Sequence, residues 1–195
     1  EIALDKDVIW TNKSIFKCEV KVVDLNDVVL YYGENNNPDN VADFKSKVKL
    51  EDGKYEQTFV AAINMSTGNS KVITLLAVDS VENSSTRVVT VRKDSIAPLL
   101  SIISPLDGDW TANDKTDVSG SFVEENIDRI LVNGNIAVLN DNSFYYGGLG
   151  LVIEGANEIK IEAYDLAGNR TEVKITIYRD TTPPANPSVH ALCEG

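Results

Sequence analysis

The sequence predicts an all-β chain built as two antiparallel β-sandwiches in tandem. Three observations carry this. Apolar residues alternate with polar ones almost everywhere, and no segment holds a 3.6-residue period. Turn chemistry interrupts the alternation at short, regular intervals. Finally, the pattern recurs. Ala77-Val78-Asp79 and Ala163-Tyr164-Asp165 lie 86 residues apart, as do Asp94-Ser95-Ile96-Ala97-Pro98 and Asp180-Thr181-Thr182-Pro183-Pro184, while Trp10-Thr11 and Trp110-Thr111 lie 100 apart. A two-copy chain with extra residues in the first copy explains both spacings, and the polar tract Gly33 to Asn40 is the expected place for the additional 14.

In the first copy, Phe16, Cys18, Val20 and Val22 alternate with Lys17, Glu19 and Lys21. Strands are then expected at Val28 to Tyr32, Phe44 to Leu50, Tyr55 to Ala62, Lys71 to Asp79 and Thr86 to Val91. In the second, Val118, Gly120 and Phe122 share one face. Arg129 to Val132 and Ile136 to Val138 flank Asn133-Gly134, a two-residue hairpin signal because both residues tolerate positive φ. Phe144 to Tyr146, Glu158 to Glu162 and Val173 to Tyr178 complete the set. About seven short strands in roughly 85 residues is the count of an immunoglobulin-type sandwich. The expected organisation is residues 1–93, residues 94–182, and a tail 183–195 that reads as a linker or the first strand of a following domain. A proline at each joint, after Asp94 and after Asp180, suits a short stiff connection.

The 195 residues carry 30 acidic and 18 basic side chains, a net charge of −12, with 43% hydrophobic and 25% charged residues. This is globular composition. The acidity is unevenly placed: residues 1–93 hold 12 basic against 14 acidic side chains, and residues 94–195 hold 6 against 16. Nucleic acid is therefore an unfavourable partner, and so is an anionic membrane surface. No apolar run of about 20 residues is present to insert in a membrane. The chain starts at Glu1 without a basic and apolar leader, so it reads as a piece of a longer protein. One histidine, His190, leaves little for imidazole-based catalysis or a zinc centre, and no enzymatic signature stands out.

The second copy contains Ser104-Pro105-Leu106-Asp107-Gly108, Val118-Ser119-Gly120, Ile130-Leu131-Val132-Asn133-Gly134 and Asn142-Ser143-Phe144. The series continues through Gly155-Ala156-Asn157-Glu158-Ile159, Ala163 to Asn169 and the exit Asp180 to Pro184. With these motifs in this order, the second copy resembles the bacterial and archaeal immunoglobulin-like modules of secreted and cell-surface proteins. The first copy lacks the Asn-Gly hairpin, and its Val29-Leu30-Tyr31-Tyr32 and Asp52-Gly53-Lys54-Tyr55 are more similar to a fibronectin type III relative. The resemblance implies an extracellular setting, secreted or on the cell surface. It implies no ligand, because this sandwich hosts many functions. The expected role is a non-catalytic spacer or structural module, with adhesion open to it. The alternative is an accessory domain, glycan- or substrate-binding, of a secreted protease or glycosidase. Expected partners are neighbouring domains of the parent protein and a surface protein or glycan.

Two groups of residues could carry chemistry. Asp94 and Asp180 at the joints, with Asp165 before a turn, are the candidate calcium ligands, and no other cofactor is expected. Calcium takes six to eight oxygens, and no dense Asp-x-Asp cluster supplies them. The competing reading has each carboxylate capping backbone amides of its own turn. Trp10 and Trp110 are candidate platforms for glycan stacking, although tryptophans at equivalent positions are expected to close the end of a core. Gly147-Gly148-Leu149-Gly150 has neither the lysine nor the helix of a phosphate loop. The sequons at Asn12, Asn64, Asn83 and Asn169 mark exposed turns without showing their use. Cys18 is expected inside as a free thiol, unpaired with Cys193.

Overall fold

The computed structural model describes residues 2–3 and 7–186, and these contain strands, turns and extended segments but no helix. The start of a following domain, His190 and Cys193 lie outside the described residues. The chain divides into two compact units. One holds the chain up to Ala97 together with Asp165–Asn169, and the other holds Pro98–Tyr164 and the chain from Arg170.

The first unit is built from β1 (Ile2–Ala3), β2 (Val8–Thr11), β3 (Ile15–Asp24), β4 (Val28–Glu34), β5 (Asn40–Val41), β6 (Asp43–Lys49), β7 (Tyr55–Asn64), β8 (Ser70–Asp79) and β9 (Ser84–Lys93). Two sheets, ordered β1-β3-β7-β6 and β2-β9-β8-β4-β5, face one another. Between them lie Cys18, Val20, Leu30, Phe59, Ala61, Met65, Ile73, Leu75 and Val91, all buried. The alternation read from the sequence is the cause: on β3, Cys18, Val20 and Val22 are buried while Lys17, Glu19 and Lys21 are exposed. Burial also pushes the Cys18 thiol above its ordinary range. The edge strand β6 is exposed along its whole length. Lys45, Lys47 and Lys49 line it and discourage pairing with another chain.

The second unit uses β10 (Leu99–Ser104), β11 (Trp110–Thr111), β12 (Lys115–Val123), β13 (Ile127–Val132), β14 (Asn135–Ile136), β15 (Val138–Asn140), β16 (Ser143–Gly150), β17 (Gly155–Asp165) and β18 (Arg170–Arg179). Its sheets run β10-β12-β16-β15 and β11-β18-β17-β13-β14. Each strand thus takes the place of the strand nine earlier in the first unit. The core contains Val118, Phe122, Ile130, Val132, Phe144, Leu151, Ile159, Ile161 and Ile177. The all-β sandwich class is borne out. One refinement concerns direction: β2 pairs with β9, and β11 with β18, in parallel, whereas β1–β3, β3–β7, β4–β8, β10–β12 and β12–β16 are antiparallel.

The extra residues of the first copy are not confined to Gly33–Asn40. Ala42 donates to the Leu30 carbonyl as Ala137 donates to Ile130, and Phe59 pairs with Val20 as Phe144 pairs with Gly120. The offset between matched residues falls from 100 at Leu30/Ile130 to 95 at Ala42/Ala137 and to 85 at Phe59/Phe144. Most of the surplus therefore lengthens the β6–β7 hairpin, where strand chemistry hides it from a search for polar tracts.

Two glycines of the second unit are required by geometry. Asn133 and Gly134 have φ of 47° and 83°, the double left-handed turn that closes β13–β14. Asn133 is also tied to β17: its backbone N donates to Lys160 O at 2.9 Å, and Lys160 N donates to Asn133 Oδ1 at 2.7 Å. At Gly120, a Cβ would stand 2.4 Å from Ser101 O and 2.4 Å from a ring carbon of Phe144. The position equivalent to Val20 is glycine here because the Phe144 ring occupies the side chain's space.

Candidate functional site

The two aspartates that precede the last turn of each sandwich do the same work. Asp79 Oδ1 accepts from Val81 N at 3.0 Å and Asn83 N at 2.8 Å, and its Oδ2 accepts from Asn83 Nδ2 at 2.9 Å. These bonds, led by the Asn83 side chain, hold the Asp79 carboxyl below its usual range. Asp165 Oδ1 accepts from Asn169 N and its Oδ2 from Asn169 Nδ2, both at 2.7 Å. The turn needs a left-handed residue, supplied by Gly168 (φ 85°) in one case and by Glu82 (φ 70°) in the other.

The joint aspartates are equivalent too. Asp94 Oδ1 accepts from Ile96 N and Asp180 Oδ1 from Thr182 N, both at 2.9 Å. Asp94 N donates to Thr11 O and Asp180 N to Thr111 O, again at 2.9 Å. Each strand exit is thereby fastened to the parallel edge strand beside it. Of the three expected calcium ligands, the structure brings Asp94 and Asp165 together, with a carboxylate oxygen of each within 4.8 Å of the other's. Asp180 is not in that group. Asn169 Nδ2, bonded to Asp165, also donates to Asp94 O at 3.0 Å and Ile96 O at 3.2 Å. A neutral amide thus bonds one Asp165 oxygen and the backbone carbonyls of Asp94 and Ile96, while the Asp94 carboxylate accepts from Ile96 N.

Trp110 corrects the expectation of a core-closing role, while Trp10 is half-buried. On β2, Ile9 packs against the core and Thr11 is buried, so period 2 turns Trp10 outward. There the Arg92 guanidinium lies 5.4 Å from its ring centroid, a cation–π contact. Trp110 is 67% exposed. Its cross-strand partner is Tyr178 in place of Arg92. The two rings are stacked, with centroids 4.8 Å apart and an interplanar angle of 18°. The outer face of Trp110 is open.

The backbone around Trp110 is firmly held. Gly108 N donates to Thr176 O at 2.8 Å, Thr176 N to Asp107 Oδ1 at 2.7 Å, and Tyr178 N to Asp109 O at 2.8 Å. Asp109 Oδ2 accepts from Leu106 N at 2.8 Å. Two carboxylates, Asp107 and Asp109, therefore pin the loop that leads into Trp110.

Further along the same sheet, Glu162 is buried on an otherwise solvated face. Lys160 Nζ lies 2.9 Å from Oε2, and Arg170 reaches Oε1 with Nη2 at 2.6 Å and Nε at 3.1 Å. Tyr164 OH donates at 3.1 Å. The hydrogen bonds from Lys160 and then Arg170 hold the Glu162 carboxyl at about 2. Arg129 stands 4.4 Å from the Tyr164 ring centroid and Arg170 6.0 Å. Sequence reading missed this network; alternating charges on β17 and β18 with Tyr164 opposite Arg170 were its signal. Every cation there is engaged by a protein group, which is the pattern of a structural lattice. On Asp117, by contrast, Gly148 N donates at 2.7 Å and Tyr145 OH at 2.8 Å, so the Gly-rich stretch of β16 is a bulge pinned by a carboxylate.

Comparison with known proteins places this geometry. Residues 98–181 match the family model described as glucodextranase, domain B. The chain is 30% identical, over 91% of its length, to Bacillopeptidase F of Bacillus subtilis (strain 168), and spans 11% of that protein. Among solved structures, the fibronectin(III)-like modules of Clostridium thermocellum CbhA superpose with a TM-score of 0.56 at 15% identity. That alignment covers 97% of this chain and 100% of the other, and at this identity it is a likeness of fold. The resemblance to immunoglobulin-like and fibronectin type III-like modules is borne out by these matches.

Proposed function

We propose that this chain is a non-catalytic accessory segment of a larger extracellular hydrolase, and that it spaces and supports a catalytic domain encoded elsewhere in the parent. One observation carries the reading: nearly the whole chain aligns with a small fraction of a protein named as a peptidase. The match of residues 98–181 to a domain of a glucodextranase supports the same association with hydrolases. Of the two roles expected from the sequence, the accessory one is the better supported, and a spacer's rigidity serves it. The buried carboxylates are consistent with this, since Asp165 is spent on a turn and Glu162 on neighbouring cations.

The test is hydrolysis by the purified chain. Casein and dextran incubated with it release no peptides or reducing sugars above buffer. Removing this stretch from the parent enzyme leaves turnover of a small soluble substrate unchanged and lowers turnover of an extended or insoluble one. Hydrolysis by the isolated chain, or equal loss on both substrates, overturns the proposal.

A further inference from the structure

We infer that Trp110 is a stacking platform for the pyranose rings of a neutral glycan. Three observations lead there. First, the ring is 67% exposed and contributes nothing to the buried core of its unit. An indole left this open keeps a large apolar face in water. Second, it is preorganised. Tyr178 backs one face at 4.8 Å, and bonds that tie Gly108 and Asp109 to β18 and Thr111 to Asp180 just beyond it fix the backbone on both sides. A partner therefore meets an ordered flat surface and immobilises little on binding. Third, the position has a control within the same chain. Trp10 occupies the equivalent place on β2, but its cross-strand neighbour is Arg92, whose guanidinium stands 5.4 Å from the ring centroid in place of a stacked aromatic ring. Only the second unit backs its tryptophan with an aromatic ring, and Trp110 is exposed where Trp10 is half-buried.

The surroundings select the occupant. Asp107 and Asp109 lie in the loop that leads into Trp110, and residues 94–195 carry 16 acidic against 6 basic side chains. Carboxylates accept hydrogen bonds from sugar hydroxyls while the apolar C–H face of a pyranose lies on the indole. The same charge repels uronic acids, phosphorylated polymers and acidic proteins. A neutral polysaccharide is the ligand chemistry that satisfies both the ring and its rim.

The experiment is affinity electrophoresis of the native chain through gels containing mixed-linkage β-glucan, xylan, dextran or polygalacturonate. At least one neutral polymer retards the chain, and polygalacturonate does not. Trp110→Ala weakens retardation about tenfold or more, the effect of losing a central aromatic anchor, while Trp110→Phe keeps part of it and Trp10→Ala keeps all of it. Unchanged melting of the Trp110→Ala protein shows that the fold is intact. Lack of retardation in every neutral gel, equal retardation of the Trp110→Ala protein, or preferential retardation by polygalacturonate overturns the inference. The outcome is independent of hydrolysis, so failure here leaves the accessory role to its own test.

Discussion

Gly120→Ala adds one methyl group to the second unit at the point where its sheets are least able to receive it. The new Cβ would sit 2.4 Å from Ser101 O, 2.4 Å from Phe144 Cε1 and 2.7 Å from Phe144 Cζ. Ordinary contact is about 3.5–4 Å, so more than 1 Å must be found in two directions. Ser101 O is backbone of β10, paired with β12, and retreats only by loosening that ladder. Phe144 is 2% exposed and core-packed, and its ring moves only by displacing other core side chains. Overpacking of this kind costs about 3 kcal/mol. For a sandwich of this size that lowers the midpoint by about 15 °C. Calorimetry of the intact chain reads the shift. Gly150→Ala is the matched control, because a Cβ there meets nothing closer than Val152 Cγ1 at 4.0 Å; it leaves the midpoint unchanged or slightly raised. If Gly120→Ala melts within about 0.5 kcal/mol of the parent protein, the close approach of Phe144 to β12 is wrong.

Glu162→Gln removes a carboxyl whose folded pKa is about 2, below its unfolded value. Its contribution is therefore present above roughly pH 4.5 and is lost as pH falls toward 2; urea midpoints of the two proteins should differ at pH 7 and converge near pH 2. Glu82→Gly relieves a left-handed φ of 70° at the position where the second unit already has glycine, and should raise the urea midpoint of the first unit by up to about 1 kcal/mol; a loss would mean that the Glu82 side chain makes a contact worth more than the strain. Melting in calcium and in chelator should coincide, because Asn169 already donates to both oxygens of Asp165; a cation at 100 times its Kd would add about 2.7 kcal/mol, and a rise of that order would mean that these carboxylates bind calcium.

Most of the fold was legible because β-strands write their burial into every second residue. Cys18, Val20 and Val22 against Lys17, Glu19 and Lys21 needed no partner strand to be identified. Asn133-Gly134 declared its turn for a similarly local reason. What stayed hidden was non-local. The two-residue β11 has no room to show a period, so the direction of Trp110 depends on β18, about 70 residues later. The lengthened β6–β7 hairpin looked like ordinary strand. Position alone makes Asp94 and Asp165 possible ligands, and the amide of Asn169 bonded to the Asp94 carbonyl and the Asp165 carboxylate is visible only in three dimensions. Glu162 gave a weak signal for the opposite reason: a charged residue in an alternating strand reads as solvated until its four bonds are seen.

The parallel seating of β2 on β9 and of β11 on β18 has a mechanical consequence. In the first unit, Val8–Thr11 and Thr90–Lys93 run side by side in one direction, and Asp94 N adds a bond to Thr11 O. Tension that enters before β2 and leaves after β9 drags the two strands along each other, so their cross-links are loaded together. Peeling an antiparallel hairpin from its end loads them one by one. The second unit has only two ladder pairs there, reinforced by the loop 105–109 and by Asp180 N on Thr111 O. Stretched in flow or on an immobile substrate, each sandwich resists as a shear clamp, with the wider overlap in the first.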